Sequence, residues 1–150
     1  MMTSEEKLKQ LYRKVILGHN KTPYHYEAME SPDFIIEAYN PLCGDKYKLF
    51  LKMDGDRIQA ASFNGYGCAI SKASTSILLQ RIEGLKVTAI PALRDQFNRI
   101  AMEGEESTDE AFEAFSAVKE FPGRATCVSL SWDSLMDWME REFNQNQNDN

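Results

Sequence analysis

The chain has 150 residues, 43% of them hydrophobic, and its 17 basic and 23 acidic side chains give a net charge of −6. This composition predicts one globular domain with an ordinary core and excludes an intrinsically disordered chain. The acidic balance disfavours nucleic-acid binding, and no apolar run approaches the ~18 residues that a membrane helix needs. With a polar start that lacks the features of a signal peptide, we expect a cytoplasmic protein without nucleic-acid or membrane partners.

The first half of the chain predicts one helix followed by three strands. Thr3 and Glu6 form a capping-box pair, after which apolar residues recur at helical spacing. Three short apolar runs then predict strands at 34–39, 47–53 and 57–63. Because the connections between these runs are short, an antiparallel meander is the simplest arrangement.

The second half predicts helices only. The first runs over 69–83 with Gly84 as the stop, and the second runs from Pro91 to near Gly104. The third begins at a cap formed by Ser107 and Glu110, and the last runs from about Ser129 to Phe143. Trp138 lies off the apolar stripe of the last helix and is a candidate for a partner surface. The prediction is therefore an α+β domain over 1–143, a three-stranded antiparallel sheet with helices packed on one face, and a disordered tail at 144–150.

Two cysteines lie at the joints of this predicted sheet. Cys43 and Asp45 belong to the loop N-P-L-C-G-D, whose Pro and Gly make a sharp turn. Taken by itself, this motif is also explained by a plain turn in which Asp45 bonds the backbone. Cys68 lies where the third strand meets the next helix, a position that lowers a thiol pKa but also suits a small buried hydrophobe. In a meander both joints fall at the same end of the sheet, so these three residues should be neighbours.

The third cysteine, Cys127, is predicted just before the last helix. Three thiolates and one carboxylate could form a tetrahedral zinc site or hold iron and sulfide. The spacing differs from that of a zinc finger, because no C-x-x-C motif occurs. An odd number of cysteines also argues against a framework of internal disulfides.

Three segments carry these cysteines: N-P-L-C-G-D, G-Y-G-C-A-I-S-K-A-S and F-P-G-R-A-T-C-V-S-L-S-W. Together with Y-R-K-V-I-L-G-H-N-K-T-P and K-M-D-G-D-R-I, they resemble the IscU/SufU family of iron–sulfur cluster assembly scaffolds, which is related to the N-terminal domain of NifU. The resemblance runs from about Leu11 to Trp138 in the family's order. It implies an α+β fold and a ligand set of four residues: Cys43, Asp45, Cys68 and Cys127.

The segment between Cys68 and Cys127 resembles the SufU branch, because it is long and helical and no His precedes the third cysteine. Arg124 matches that branch, whereas Gly123 and Thr126 stand where Ala and Lys are usual. The branch implies Zn²⁺ as the resting species, with a transient [2Fe–2S] cluster as the other possibility. It also implies that a SufS-like cysteine desulfurase donates sulfur, and that downstream iron–sulfur assembly or acceptor proteins receive the product.

Within the ligand set we predict that Cys43 accepts the persulfide sulfur, because its Gly- and Pro-bearing loop should be the most mobile. Asp45 would hold or release the ion, while Cys68 and Cys127 anchor it. Such a protein is a scaffold or, at most, a zinc-dependent sulfurtransferase that works with a desulfurase. Two other classes remain open, a structural zinc module and a thiol enzyme, although neither histidine lies in a cysteine segment to act as the enzyme's base.

Overall fold

The computed structural model describes residues 3–116, 118 and 122–144. Helix α1, Ser4–Leu11, begins at the predicted capping box, in which Thr3 accepts from the Glu6 amide and the Glu6 side chain from the Thr3 amide. It continues as a π-helical segment, Tyr12–Leu17, and as α2, Gly18–Lys21. The predicted first helix is therefore present, with a widened middle.

The sheet has three antiparallel strands in the order β1-β2-β3, which confirms the meander. Strand β1 is Phe34–Tyr39, β2 is Lys46–Asp54 and β3 is Arg57–Tyr66. The last strand ends three residues later than predicted, directly before Gly67 and Cys68. The β1–β2 loop and the exit of β3 thus lie at one end of the sheet.

Helices make up the rest of the described chain. They are α3, Ala69–Ile82; a 3₁₀ turn, Val87–Ala89; α4, Ile90–Ala101; α5, Glu110–Glu113; α6, Pro122–Met139; and a π-helical turn, Glu140–Asn144. Gly84 follows α3 with φ +87°, a left-handed conformation that ends a helix at little cost for glycine. The cap of α5 is Asp109, which accepts from the Phe112 amide, and not Ser107 as predicted.

The last helix begins seven residues earlier than predicted, at Pro122 instead of about Ser129. Proline is favourable in the first turn of a helix, where its missing N–H has no intrahelical partner to lose. Cys127 consequently lies inside α6 and not before it. Hydrogen bonds from α3 hold this part of the helix, since Ser74 Oγ donates to the Val128 carbonyl and Thr75 Oγ1 lies 2.7 Å from Ser131 Oγ.

The core lies between the helices and one face of the sheet. On β2 every second side chain is fully buried and points to the helices, namely Tyr47, Leu49 and Leu51, while Lys46, Lys48, Phe50 and Lys52 lie on the opposite face. Trp132 of α6 stacks on Phe97 of α4 with ring centroids 4.3 Å apart. Trp138 is also buried, edge-on to Phe34 with ring centroids 5.1 Å apart, so its predicted role as a partner surface is wrong.

The predicted α+β class is confirmed by this arrangement. Asn144 ends the last helical turn, and residues 145–150 lie outside the described residues, so the disordered tail stays a prediction. Among the described residues, no helix is both long and apolar enough to cross a membrane.

Candidate metal centre

The loop between β1 and β2 is held in shape by its own hydrogen bonds. Asn40 Oδ1 accepts from the Leu42 amide at 3.0 Å, and the Asn40 carbonyl accepts from the Gly44 amide at 2.8 Å. Gly44 adopts φ +77°, which glycine tolerates far better than other residues. The loop leaves Cys43 exposed and turns Asp45 inward, where it is 4% exposed.

The Asp45 carboxylate has one oxygen engaged and one without a partner. Oδ1 accepts from the Cys68 amide at 3.3 Å, whereas Oδ2 is buried with no hydrogen-bond partner among the described residues. A buried carboxylate oxygen without a partner is costly in a folded protein. It points to a bound group, and a cation is the group that a carboxylate prefers.

Cys127 reaches the same point from the second turn of α6. Its Sγ, the Sγ of Cys43 and a carboxylate oxygen of Asp45 all lie within 4.8 Å of one another. Burial, as the largest cause, together with the neighbouring Cys43 thiol and Asp45 carboxylate, raises the pKa of the Cys127 thiol to about 12. A divalent cation would reverse this balance, because it stabilises thiolates directly.

Cys68 stands beside this group without joining it. Its Sγ is not one of the atoms that lie within 4.8 Å of one another, and the thiol is half-buried. Its backbone N–H, however, holds Asp45 in place. The structure therefore brings three of the four predicted residues together and places the fourth next to them, and its ligation stays a prediction.

Three further residues that sequence reasoning missed as a unit, Tyr47, Gly67 and Ser71, lie beside the carboxylate. Tyr47 Oη lies 2.7 Å from Ser71 Oγ, which in turn donates to the Cys68 carbonyl at 3.1 Å. A Cβ atom at Gly67 would overlap Tyr47 Oη and lie 2.6 Å from Ser71 Oγ and 2.9 Å from Asp45 Cγ. The glycines flanking Tyr66 were the sequence signal, since glycine permits such a close approach.

Replacing Gly67 by alanine should weaken metal binding, because the new methyl group must push Tyr47, Ser71 or Asp45 aside. We expect an affinity for zinc lower by about 10–100-fold, comparable to the loss of a group that orients a ligand. Overpacking should also lower the free energy of unfolding by about 1–3 kcal/mol. Chelator competition and thermal melting measure the two effects, with Gly18→Ala as control, since a Cβ there meets nothing within 4 Å. Equal affinities for zinc would contradict the role of Gly67.

Two thiols and a carboxylate match the donor set that zinc and iron accept in proteins. The fold and this centre define a small α+β protein with a candidate Cys/Asp metal site at the end of a three-stranded meander. The chain belongs to the family of the NifU-like N-terminal domain, whose model matches residues 11–128. The predicted resemblance is thereby confirmed.

Known proteins that match nearly the whole chain support the same family membership. The zinc-dependent sulfurtransferase SufU of Bacillus subtilis is 34% identical over 145 residues, 94% of this chain and 97% of that protein. The iron–sulfur cluster assembly scaffold protein IscU of Streptococcus pyogenes is 32% identical over 141 residues, 92% of this chain and 88% of that protein. A crystal structure from Fervidobacterium islandicum, described as a scaffold protein for the SUF system, has a TM-score of 0.71 at 29% identity, covering 85% of this chain and 95% of that one.

Proposed function

We propose that this protein accepts persulfide sulfur from a cysteine desulfurase during iron–sulfur cluster assembly, at a metal site of three cysteines and one aspartate. The observation that carries the proposal is the grouping of the exposed Cys43 thiol with Asp45 and the buried Cys127 within 4.8 Å. Membership of the NifU-like family and the names of the relatives support the same function.

Accessibility favours Cys43 as the acceptor. Cys127 is buried and Cys68 is half-buried, whereas Cys43 is exposed on its loop. In the transfer, the Cys43 thiolate attacks the outer sulfur of the donor persulfide and forms a new S–S bond. The S–S bond of the donor breaks, and its electron pair leaves with the donor cysteine as a thiolate. The proton of the outer sulfur stays on that sulfur, and no external oxidant or reductant is required.

We propose Cys43, Asp45, Cys68 and Cys127 as the metal ligands. The unpartnered Asp45 Oδ2 supplies an oxygen that is already buried and has no hydrogen bond to give up. Cys68 is placed beside the group by the contact between its amide and Asp45 Oδ1. Bound zinc would keep the thiols deprotonated at neutral pH, against the burial that raises the pKa of Cys127.

Zinc is favoured as the resting ion over an iron–sulfur cluster. The residue before Cys127 is Thr126, which offers no imidazole to a cluster, and three helices, α3, α4 and α5, lie in the long segment between Cys68 and Cys127. In the alternative, the protein carries a nascent [2Fe–2S] cluster as cargo. The accepted sulfur, or the nascent cluster, would pass to downstream assembly or acceptor proteins. The protein would work in a reducing compartment such as the cytoplasm, where three thiols stay free.

Neither alternative class gains support from the geometry. A thiol enzyme needs a base beside its nucleophile, yet His19 Nδ1 lies 2.7 Å from Ser76 Oγ and His25 Nδ1 lies 3.1 Å from the Ala61 carbonyl oxygen. A structural zinc module depends on its metal to fold. Here a core of sheet and helices is formed by apolar side chains away from the centre.

The test uses the full chain purified without oxygen. We expect elemental analysis to find zinc and no sulfide, and mass spectrometry to find an added sulfur atom on Cys43 after incubation with a pyridoxal-phosphate cysteine desulfurase and cysteine. Metal-free protein should stay folded but accept little sulfur. A protein that takes up no sulfur from the desulfurase would refute the proposed function, and a loss of the fold on removing zinc would favour the structural module.

A further inference from the structure

Tyr47 is a polar side chain buried beside the metal centre, and the proposed function gives it no role. It is fully buried on the inner face of β2, where the next two residues of that face, Leu49 and Leu51, are apolar. It also lies two residues after Asp45, so the two side chains project to the same side of the chain. A tyrosine hydroxyl at this depth needs a hydrogen-bond partner, and that partner determines what the hydroxyl can influence.

The hydrogen bonds around Ser71 have one consistent direction. Ser71 Oγ donates to the Cys68 carbonyl at 3.1 Å, which uses the single proton of a serine hydroxyl. Tyr47 Oη lies 2.7 Å from the same Oγ, so the tyrosine is the donor in that bond. Ser71 is 1% exposed, and water therefore does not compete for these bonds.

These bonds continue through Cys68 to the carboxylate of the metal centre. The Cys68 carbonyl accepts from Ser71, and the Cys68 amide donates to Asp45 Oδ1 at 3.3 Å. The Cys68 carbonyl also accepts from the Lys72 amide at 3.0 Å, which closes the first turn of α3. The peptide groups on both sides of Cys68 are thus fixed. The path of hydrogen bonds starts at Tyr47 on β2, crosses to the start of α3, and returns to Asp45 next to β2.

The carboxylate at the end of this path is held by one oxygen only. Oδ1 carries the bond from the Cys68 amide, and Oδ2 is buried without a hydrogen-bond partner in the part of the chain that the structure describes. A carboxylate fixed through one oxygen presents the other in a defined direction. Residues that orient a metal ligand in this way typically account for about 10–100-fold in metal affinity.

We propose that Tyr47 is a positioning residue of the metal centre, which acts through Ser71 and Cys68 to hold Asp45 so that Oδ2 stays available as a ligand. The inference rests on the proposed function and adds to the same site a residue that touches neither the ion nor the transferred sulfur. Its distinctive consequence is that the effect of Tyr47 on metal binding is transmitted by Asp45.

The experiment measures the zinc affinity of the full chain by chelator competition. Tyr47→Phe removes the hydroxyl and keeps the ring, and it should lower the affinity for zinc about tenfold. The metal-free variant should melt about 2–4 °C lower, because one buried hydrogen bond is lost. With zinc in saturating excess, sulfur acceptance should stay within about twofold of that of the wild-type chain.

The same substitution in an Asp45→Ala chain separates positioning from support of the fold. If Tyr47 acts through Asp45, Tyr47→Phe should change the zinc affinity of the Asp45→Ala chain by less than about twofold. A tyrosine that merely supports the fold would lower the affinity by the same factor in both chains. That additive result would overturn the proposal.

Ser71→Ala interrupts the path one step later and provides a second variant if Tyr47→Phe does not fold. It should lower the zinc affinity at least as much as Tyr47→Phe does. Adding Tyr47→Phe to it should change the affinity by less than about twofold, because the path is already broken.

Tyr39→Phe is the matched control. Tyr39 is 57% exposed on β1, and its hydroxyl makes no hydrogen bond to any residue that the structure describes, so zinc affinity and melting temperature should be unchanged. If the wild-type chain binds zinc and accepts sulfur while Tyr47→Phe and Ser71→Ala bind zinc equally well, the positioning role is refuted and the proposed function stands. If the wild-type chain neither binds a metal nor accepts sulfur, the proposed function itself has failed.

Discussion

Cys43→Ser should reduce sulfur acceptance from a cysteine desulfurase to the background level. The thiolate is the nucleophile in sulfur chemistry, and a serine hydroxyl at neutral pH cannot replace it. Because Cys43 is exposed, the free energy of unfolding of the metal-free protein should change by less than about 0.5 kcal/mol. Mass spectrometry of the intact chain after incubation with desulfurase and cysteine measures the added sulfur, and thermal melting checks the fold.

The Cys68→Ser variant separates the acceptor from the remaining thiols. It retains the exposed Cys43 and should still carry added sulfur on that residue, at a lower yield because a proposed metal ligand is missing. Peptide mapping identifies the cysteine that carries the sulfur in each variant. Added sulfur on Cys68 of the wild-type chain would show that the acceptor is assigned to the wrong cysteine.

Asp45→Ala should lower the affinity for zinc by about 100-fold or more, since the loss of a mere orienting partner already costs about 10–100-fold. Sulfur acceptance should fall with it. The metal-free variant should nevertheless be about as stable as the metal-free wild type, within about 1 kcal/mol, because losing the hydrogen bond from the Cys68 amide to Oδ1 is offset by removing the buried Oδ2, which has no partner. Metal analysis, chelator competition and melting with and without zinc measure these effects.

Asp95→Ala is the control for this variant, because Asp95 is an exposed carboxylate in the middle of α4. It should leave both zinc affinity and sulfur acceptance unchanged. A second outcome is informative for Asp45→Ala. If the reconstituted variant is a stable brown protein that holds iron and sulfide, the carboxylate serves to release a cluster, and the choice of zinc as the resting ion is wrong.

The centre combines one accessible thiol with one buried thiol and one buried carboxylate. Burial raises the pKa of the Cys127 thiol, and Asp45 Oδ2 is buried without a partner; a bound cation would offset both costs, which favours metal binding at this point. Exposure of Cys43 leaves one ligand open to a partner. In the proposed function the same loop would serve both metal binding and sulfur uptake, because Gly44 turns the chain between an exposed residue and a buried one.

Local sequence patterns alone determined the strand arrangement, part of the candidate site and the family of this protein. The alternating strands with short turns determined the meander, and the meander placed Cys43, Asp45 and the Cys68 backbone at one end of the sheet. The three cysteine segments identified the family. These features depend on residues close in sequence, for which periodicity and turn chemistry are reliable guides.

Only the tertiary structure decided the rest. The first turns of α6 have the sequence P-G-R-A-T, which lacks the apolar stripe that would predict a helix, and α3 holds the helix just beyond them through the hydrogen bonds of Ser74 and Thr75 with Val128 and Ser131. Trp138 is buried because Phe34 lies against it from a strand about a hundred residues earlier. The unpartnered Asp45 Oδ2 and the position of the Cys68 thiol outside the group likewise arise from distant segments brought together. Side-chain distances of this kind are set by the packing of whole elements, and no local sequence pattern encodes them.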